Sequence, residues 1–506
     1  MAPLVPLVLL LLFSHSSTAT SSSVDIGHAA EAELSNHHVV VAASSLELAN
    51  ASPVCQGHRV SPSSSGGSWA PLSHLHSPCS PAAGGRDSAP PPKTLSATLQ
   101  WDEHRAGHIQ RKLSGNAAPM DDAGEETPQS TQVTSSPAAN VNVGKSSTDS
   151  AFEQGIVPAA TGPGGQKKLP GVAQSMVVDT ASDVPWVQCA PCPQPQCYAQ
   201  SDVLYDPTKS ILSAPFPCSS PQCRSLGRYA NGCTGAGNTG TCQYRVLYPD
   251  GSGTSGTYVS DLLTLNADPK GAVSKFQFGC SHALLRPGSF NNKTAGFMAL
   301  GRGAQSLSSQ TKGTFSKGNV FSYCLPPTGS HKGFLSLGVP QHAASRYAVT
   351  PMLKSKMAPM IYMVRLIGID VAGQRLPVPP AVFAANAAMD SRTIITRLPP
   401  TAYMALRAAF RAQMRAYRAV APKGQLDTCY DFTGVPMVRL PKVTLVFDRN
   451  AAVELDPSGV MLDSCLAFAP NANDFMPGII GNVQQQTLEV LYNVDGASVG
   501  FRRAAC

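Results

Sequence analysis

Two short strings of acidic and hydroxyl residues, 211 positions apart, carry the side chains best suited to chemistry. In each string an apolar lead runs into an aspartate, a hydroxyl residue follows, and a second hydroxyl residue comes one position later. The strings are Asp179-Thr180-Ala181-Ser182 and Asp390-Ser391-Arg392-Thr393. A single string of this kind is common, but two copies indicate a duplicated unit that delivers one carboxylate from each half.

Two carboxylates held face to face cannot both ionise cheaply, so they share one proton over an acidic range of pH. The ionised member can take a proton from water while the protonated member polarises a carbonyl group. Asp179 and Asp390 are therefore the candidate catalytic residues. Ser182 and Thr393, the second hydroxyl of each string, are candidates for hydrogen bonds at the carboxylates and for contacts with a substrate.

Short strands must position these strings, because from Gln174 onward β-branched apolar runs alternate with Gly, Pro and Asn turns. The clearest strand segments are 175–179, 257–265, 334–337, 443–447 and 488–494. Apolar residues at helical spacing predict one helix over 403–417. An apolar pair and a glycine follow each string, at Gly301 and at Gly481, which suggests a duplicated lobe. We expect a mostly β, bilobal protein with a cleft between two related lobes.

The N-terminal third differs from the rest of the 506-residue chain. Residues 4–13 form a leucine-rich apolar block before small residues, which predicts a signal peptide over 1–19. Residues 20–170 are rich in Ser, Ala, Pro and Gly and are predicted to be a largely disordered pro-region. Within it, 101–113 can form either a plain surface helix or a cover whose cations meet an acidic cleft. Those cations are Arg105, Arg111 and Lys112. We place the lobes at 171–345 and 346–506.

Fourteen cysteines and the signal peptide indicate a secreted, disulfide-bonded protein, extracellular or alternatively in the vacuole. Nine cysteines lie from Cys189 to Cys324, and three more are Cys429, Cys465 and Cys506. Because both numbers are odd, full pairing requires at least one bridge between the lobes. We expect Cys429 to pair with Cys465 and Cys506 to cross to the first lobe.

Taken together, these motifs resemble the pepsin-like aspartic proteases, and most closely their plant nepenthesin-type branch. The resemblance is carried by VDTASDVPWVQC (178–189), YPDGS (248–252), FSYCL (321–325), TIITRL (393–398) and IIGNVQQ (479–485). It covers about residues 175–506 and implies the bilobal pepsin-like fold, with Asp179 and Asp390 as the catalytic pair. It also implies that Tyr248 lies on a flap hairpin over the cleft and that Trp186 hydrogen-bonds the hydroxyl of Tyr248.

The chain departs from the family pattern in several places. Ala181 and Arg392 stand where the family has glycine, and Pro249 replaces the usual flap glycine. The strand pair that normally precedes the first aspartate is predicted to be missing. If Arg392 turns inward, we expect it to pair with Asp390, lower the pKa of that carboxyl and weaken activity. If it turns outward, its side chain strains a backbone suited to glycine.

The sequence therefore predicts a secreted aspartic endopeptidase that hydrolyses protein or peptide substrates at acid pH through water activated by the aspartate pair. The alternative, favoured by Ala181 and Arg392, is a catalytically impaired binding or inhibitor-like module on the same scaffold. We expect a monomer with no cofactor, no metal, no membrane anchor and no nucleic-acid partner. Residues 235–240 match the dinucleotide fingerprint, but they lie between Cys233 and Cys242 with no strand before and no helix after, which predicts a loop. In an oxidising compartment the cysteines of 189–197 are expected to form disulfides rather than a zinc site. Asn50 and Asn292 begin glycosylation sequons.

Overall fold

A computed structural model of the chain describes residues 37–46, 68–74, 95–115, 137–141, 171–235, 240–248, 251–265, 271–287, 290, 294–327, 331–338, 346–503, 505 and 506. The predicted signal peptide, Pro249, Asn50 and Asn292 lie outside these residues. Strands dominate the described part, which confirms the prediction of a mostly β protein. No helix in that part combines the length and apolar character needed to cross a membrane.

Most of the regular elements are short strands. Those up to the end of the first lobe are β1 (His38–Ala42), β2 (Trp69–His74), β3 (Pro137–Val141), β4 (Gln174–Asp179), β5 (Trp186–Gln188), β6 (Ala214–Pro215), β7 (Ala230–Thr234), β8 (Thr241–Leu247), β9 (Gly253–Thr264), β10 (Ala272–Leu285), β11 (Gly296–Ala299), β12 (Val320–Cys324) and β13 (Lys332–Leu337). Those of the second lobe are β14 (Ala348–Pro351), β15 (Met363–Val364), β16 (Leu366–Val371), β17 (Gln374–Arg375), β18 (Ala387–Met389), β19 (Thr396–Leu398), β20 (Arg418–Val420), β21 (Cys429–Asp431), β22 (Met437–Pro441), β23 (Val443–Phe447), β24 (Ala451–Glu454), β25 (Met461–Leu462), β26 (Cys465–Leu466), β27 (Phe468–Pro470), β28 (Gly478–Ile480), β29 (Glu489–Asn493) and β30 (Ser498–Arg502). The α-helices among the described residues are α1 (Leu95–Ser114), α2 (Pro221–Ser225), α3 (Leu307–Gln310), α4 (Pro400–Gln413) and α5 (Pro457–Val460).

One large sheet runs through both lobes. Its strand order is β14-β30-β29-β12-β13-β2-β3-β4-β11-β5-β10-β9-β8-β7, with β6 paired to β9. The last strands of the chain reach the first lobe, since β29 pairs antiparallel with β12 from Asn493 opposite Val320 to Glu489 opposite Cys324. Smaller sheets in the second lobe have the orders β15-β18-β28-β19-β27, β17-β16-β23-β24 and β20-β21-β26-β25. The two lobes are therefore joined by strands that pair in one sheet.

The disulfides confirm the expected bridge between the lobes. Cys324 of the first lobe pairs with Cys506, and Cys429 pairs with Cys465 within the second lobe. Every cysteine among the described residues is paired. The remaining bridges, all in the first lobe, are Cys189–Cys280, Cys192–Cys197, Cys218–Cys233 and Cys223–Cys242.

The N-terminal third supplies two strands of the large sheet, so the prediction that the strand pair before the first aspartate is missing was wrong. β2 pairs antiparallel with β13, and β3 lies between β2 and β4. Ala70 and Leu72 of β2 are fully buried in the main core. The two strands are rich in Ala, Pro and Ser rather than β-branched residues, so their pairing partners decide their structure. Upstream, β1 pairs with β22 of the second lobe.

Leu72→Ala should lower the free energy of unfolding of the full chain by about 2–5 kcal/mol, because it opens a cavity at a fully buried position. Val40→Ala in β1 is the control, since Val40 is 59% exposed and its truncation should cost less than about 0.5 kcal/mol. Denaturant unfolding compares the two variants. Equal stabilities would show that β2 is not part of the core.

Candidate active site

Parallel strand pairs position the two candidate aspartates. Asp179 is the last residue of β4, which runs parallel to β11, and Asp390 follows β18, which runs parallel to β28. The N–H of Leu300 donates to the carbonyl of Asp179 at 2.8 Å, and the N–H of Asp390 donates to the carbonyl of Ile480 at 3.2 Å. Both aspartates are fully buried. They occupy equivalent positions in the two lobes.

The hydroxyl residues after the aspartates bind each other across the lobe boundary. The N–H of Thr180 donates to Ser391 Oγ at 3.2 Å, and the N–H of Ser391 donates to Thr180 Oγ1 at 3.0 Å. Ser391 Oγ donates to the carbonyl of Val178 at 3.1 Å, and Thr180 Oγ1 donates to that of Met389 at 3.3 Å. This reciprocal pairing holds the two carboxylates side by side.

Gly301 and Gly481 allow a neighbouring strand end to pass close behind each aspartate loop. A Cβ atom at Gly301 would lie 2.5 Å from the carbonyl oxygen of Ser182, and one at Gly481 would lie 2.6 Å from that of Ile394. A side chain at either position would therefore displace the loop. This close approach explains why a glycine follows the apolar pair in both halves of the sequence.

Hydrogen bonds within each loop fix the carboxylates. Asp179 accepts from the N–H of Ala181 at 2.9 Å and from the hydroxyl of Ser182 at 3.0 Å. Asp390 accepts from the N–H of Thr393 at 2.9 Å and from its hydroxyl at 2.5 Å. Ser182 and Thr393 therefore orient the aspartates, and their contacts with a substrate stay a prediction.

Tyr248 follows β8 in the hairpin that β8 forms with β9. Its hydroxyl accepts a hydrogen bond from Trp186 Nε1 at 2.6 Å, as the resemblance implies. Phe290 and Phe297 pack against Tyr248 with ring centroids at 5.8 and 5.1 Å. These buried aromatic contacts hold the hairpin tyrosine against the first lobe, and its contact with a substrate stays a prediction.

α1 lies across the two aspartates and inserts Arg105 between them. Arg105 Nη2 donates to Asp179 Oδ1 at 2.9 Å and to Asp390 Oδ1 at 2.6 Å, and its Nε donates to Asp390 Oδ2 at 2.7 Å. Only 6% of the Arg105 side chain is exposed. Of the two interpretations of this helix, the structure supports the cover over an acidic cleft. The helix also begins six residues earlier than predicted, at Leu95.

Arg392 turns into the site, but the prediction that it pairs with Asp390 was wrong. Its Nη1 donates to Asp179 Oδ2 at 3.0 Å, while the cation of α1 already holds Asp390. The guanidinium carbon lies 4.4 Å from the ring centroid of Phe297 and 5.2 Å from that of Trp101. Arg392 has no positive φ, so replacing the family's glycine does not strain the backbone in that way. The Arg392 side chain instead occupies the space beside the aspartates and places a positive charge there.

With α1 in place, two guanidinium groups face the two carboxylates of the site and offset their charge. Burial alone would raise the pKa of Asp179, but the guanidinium groups of Arg105 and Arg392 hold it well below its ordinary value. Burial alone would lower the pKa of Arg105, whereas the two carboxylates raise it above its ordinary value. Asp179 therefore stays ionised in mild acid while α1 is in place.

A second ionic contact anchors α1 close to Arg105. Asp102 is fully buried; its Oδ1 accepts from the N–H of Ile394, and its Oδ2 accepts from Arg397 Nη2 at 2.9 Å. Glu103 accepts from Arg397 Nη1 at 2.8 Å. The helix is thus held by ionic contacts of both polarities, because its Arg105 pairs with carboxylates of the lobes while its Asp102 and Glu103 pair with a cation of the second lobe. Apolar residues on the same face also pack against the lobes, namely Leu99, Ala106, Ile109 and Leu113.

His108 makes the docked helix sensitive to acid. Its Nε2 is buried and has no hydrogen-bond partner in the described part of the chain. Burial lowers its pKa to about 3, and the charges of Lys112, Arg105 and Arg111 add to this effect, while Asp179 opposes it. While α1 covers the aspartates, His108 stays neutral; once α1 is released, His108 binds a proton below its free pKa of about 6.5. The docked state, with α1 in place, is therefore most stable above pH 6.5. This contribution of His108 is lost as the pH falls from about 6.5 towards 3.

His108→Gln should therefore keep α1 docked at a pH where the natural helix loosens. At about pH 4.5 we expect the α1 amides of this variant to exchange up to about 100-fold more slowly than those of the natural chain, because pH 4.5 lies about two units below the free histidine pKa near 6.5. Hydrogen exchange at pH 4.5 and pH 7 provides the comparison, and His104→Gln on the exposed face of the same helix is the control. Identical pH responses of both variants would contradict this role of His108.

Sequence reasoning identified Arg105 but missed Asp102, His108 and Arg397. A usable signal was present, because Asp102 and Arg105 recur with the apolar residues of α1 at helical spacing. Polar residues on the apolar face of a helix indicate a polar partner at the surface that the helix covers. Arg111 was also expected to meet the carboxylates, but it is exposed.

Two sequence-family profiles match the chain. The profile described as xylanase inhibitor N-terminal matches residues 166–339, and the one described as xylanase inhibitor C-terminal matches residues 361–503. An aspartyl protease family protein of Arabidopsis thaliana is 35% identical over 442 residues, which cover 86% of each chain. Aspartic proteinase nepenthesin-1 of Nepenthes gracilis is 30% identical over 347 residues, which cover 66% of this chain and 75% of its own.

Solved structures share the fold at lower sequence identity. Basic 7S globulin from soybean is 19% identical with a TM-score of 0.54, and the match covers 73% of this chain and 91% of the globulin. Conglutin gamma from lupine seeds is 20% identical with the same TM-score, covering 73% of this chain and 92% of the conglutin. These similarities support the bilobal arrangement described above.

Proposed function

Because the chain belongs to the plant pepsin-like aspartic protease family, we propose that it is a latent aspartic endopeptidase that hydrolyses peptide bonds at acid pH. One observation carries the proposal. Two duplicated strand-and-loop units present one buried carboxylate each, and a single nitrogen, Arg105 Nη2, lies within 2.9 Å of Asp179 and 2.6 Å of Asp390. A water molecule in place of that nitrogen would contact both carboxylates.

The chemistry follows from the proton shared by the pair. Asp179, the member with the additional cation, remains ionised and takes a proton from the water. Asp390 carries the shared proton and donates a hydrogen bond to the scissile carbonyl oxygen, so that hydroxide adds to the carbon. The carbon–nitrogen bond of the tetrahedral intermediate then breaks as Asp179 passes the proton it took from water to the leaving nitrogen. Ser182 and Thr393 hold the carboxylates in orientation throughout.

We further propose that residues 20–170 act as a pro-region and that 1–19 direct the chain to the secretory route, to the extracellular space or the vacuole. Six disulfides among the described residues fit an oxidising compartment. Activation requires α1 to leave the aspartate pair. β2 is a separate segment of the large sheet, so it can remain in place when α1 leaves.

A binding protein without catalysis is the second candidate, and Arg392 favours it. Its guanidinium pairs with Asp179, and we expect this contact to persist after α1 leaves because both residues belong to the lobes. That pairing opposes the shared proton on which hydrolysis depends. In this case the cleft would bind a protein or peptide without cutting it.

Digestion of denatured globin at pH 3–5 by the acid-treated protein, with and without pepstatin, distinguishes the two candidates. An endopeptidase cleaves globin, is blocked by pepstatin, and loses activity in both Asp179→Asn and Asp390→Asn. No cleavage after complete removal of α1 would favour the binding protein. Cleavage that persists in both variants would indicate a contaminating protease.

A further inference from the structure

Asp102 of α1 occupies a closed, positively charged pocket beside the aspartate pair. Its carboxylate is fully buried between the N–H of Ile394 and Arg397 Nη2. Thr393, the residue before Ile394, donates both its N–H and its hydroxyl to Asp390. The pocket and the second aspartate are therefore next to each other on one loop.

Arg397 depends on α1 for its counter-ions. Its side chain is 4% exposed and contacts Asp102, Glu103 and Gln425, the last at 3.2 Å. Its Nε has no partner among the residues that the structure describes. When α1 leaves, the one partner that remains among these contacts is the neutral amide of Gln425. A buried guanidinium without a counter-ion is strongly unfavourable, so the vacated pocket attracts a counter-ion. Burial raises the pKa of Asp102 in this pocket, while the charge of Arg397 and the N–H of Ile394 oppose that rise.

The donors of the pocket suit a carboxylate. A backbone N–H meets one oxygen of Asp102 and a guanidinium nitrogen meets the other, so each oxygen has its own donor. A side-chain amide offers one oxygen and one NH₂ group, and the NH₂ group would face a donor. A lysine or arginine side chain would place a second cation beside Arg397. The pocket therefore distinguishes acidic side chains from neutral and basic ones.

We propose that, once α1 has left, this pocket binds the aspartate or glutamate side chain of a substrate, close to the bond that is cleaved. Arg105 marks the position of the reacting bond because it contacts both catalytic carboxylates, and Asp102 lies three residues away on the same helix face. Such neighbours lie about 5–6 Å apart on a helix. Same-side residues of an extended peptide lie about 6.6 Å apart, so the acidic side chain lies within two residues of that bond. This inference rests on the proposed endopeptidase function and adds a substrate class.

A binding experiment that needs no catalysis tests the pocket. The full-length chain carries Asp102→Ala, Glu103→Ala and Arg105→Ala, which remove the three residues of α1 named above as ionic partners of the lobes. Fluorescein-labelled peptides that differ only by glutamate or glutamine at one position are compared by fluorescence polarisation at about pH 5.5, where free glutamate is ionised. We expect the glutamate peptide to bind about tenfold more tightly, the effect of one charge-assisted contact.

Variants of the pocket arginine identify the residue responsible. Adding Arg397→Gln should abolish the preference, and Arg397→Lys should keep part of it, because the charge remains while the forked donor is lost. Arg407→Gln should keep the full preference, since Arg407 lies on α4 and pairs with Asp427. Equal binding of both peptides, binding of neither, or an unchanged preference in Arg397→Gln would overturn the proposal.

Cleavage of the same two peptides separates this inference from the proposed function. Preferential binding of the glutamate peptide without cleavage of either would support the pocket and contradict the endopeptidase. Cleavage of both peptides with equal kcat/KM and equal affinity would support the endopeptidase and overturn the pocket. Preferential binding together with a higher kcat/KM for the glutamate peptide is the result expected if both hold.

Discussion

Arg105→Gln should release α1 from the aspartate pair. The change leaves Asp179 and Asp390 buried beside one remaining cation, Arg392. Removing one partner of a buried ion pair costs about 3–5 kcal/mol. At about 1.4 kcal/mol for each factor of ten, the population with α1 released should rise by roughly 10²–10⁴-fold. Amide hydrogen exchange over Leu95–Ser114 at pH 7 measures this directly, because these amides exchange faster once α1 has left the lobes.

Arg111→Gln is the matched control for this prediction. Arg111 lies on the same helix and carries the same charge, but its side chain is exposed. Exchange over α1 should stay within about twofold of the natural chain, as for most surface substitutions. Similar exchange in the two variants would show that the contact of Arg105 with both carboxylates does not hold the helix.

Arg392→Gly should raise proteolytic activity about tenfold or more once α1 has been removed, since a cation beside a carboxylate lowers its pKa by about 1–3 units. Arg392 and Asp179 both belong to the lobes, so we expect their contact to persist in the open cleft and to favour the doubly ionised pair. That form has no proton left to polarise the carbonyl. Without the cation the pair keeps its shared proton to higher pH, so the upper pH limit of activity should rise by about 1–3 units. The kcat/KM for one quenched peptide across pH 2–7 provides the measurement.

Ala181→Gly is the control for charge at this position of the repeat. Ala181 occupies the place in the first string that Arg392 occupies in the second, and its change removes one methyl group without altering charge. We expect Ala181→Gly to raise kcat/KM less than Arg392→Gly does and to leave the upper pH limit of activity unchanged. The double variant should behave like Arg392→Gly. Full activity in the natural chain, or no gain in Arg392→Gly, would show that Arg392 does not limit the chemistry.

The duplicated parts of the site could be predicted because each half repeats a local pattern. The two Asp-hydroxyl strings and the glycines Gly301 and Gly481 follow backbone constraints that act over a few residues. The bridge from Cys506 to the first lobe followed from the odd number of cysteines in each lobe. The helix over 101–113 could be predicted because its amphipathic pattern lies within the segment itself.

The parts that sequence did not reveal depend on contacts between distant segments. The strand β2 has little β propensity of its own and forms because β13 and β3 pair with it. Arg392 contacts Asp179, 213 positions away, rather than its close sequence neighbour Asp390, and this depends on how the two loops face each other in space. The counter-ion role of Asp102 likewise requires the docked position of α1 on Arg397.

One time course tests the central claim that a pair of aspartates is kept latent by α1. The full-length protein is held at about pH 4, below the free histidine pKa near 6.5, while intact mass and globin cleavage are followed together. We expect cleavage to begin after a lag, to coincide with loss of the segment that contains Leu95–Ser114, and to be absent with pepstatin or in Asp390→Asn. Pepstatin-sensitive cleavage at full rate with that segment intact and docked, or none after its loss, would contradict the account.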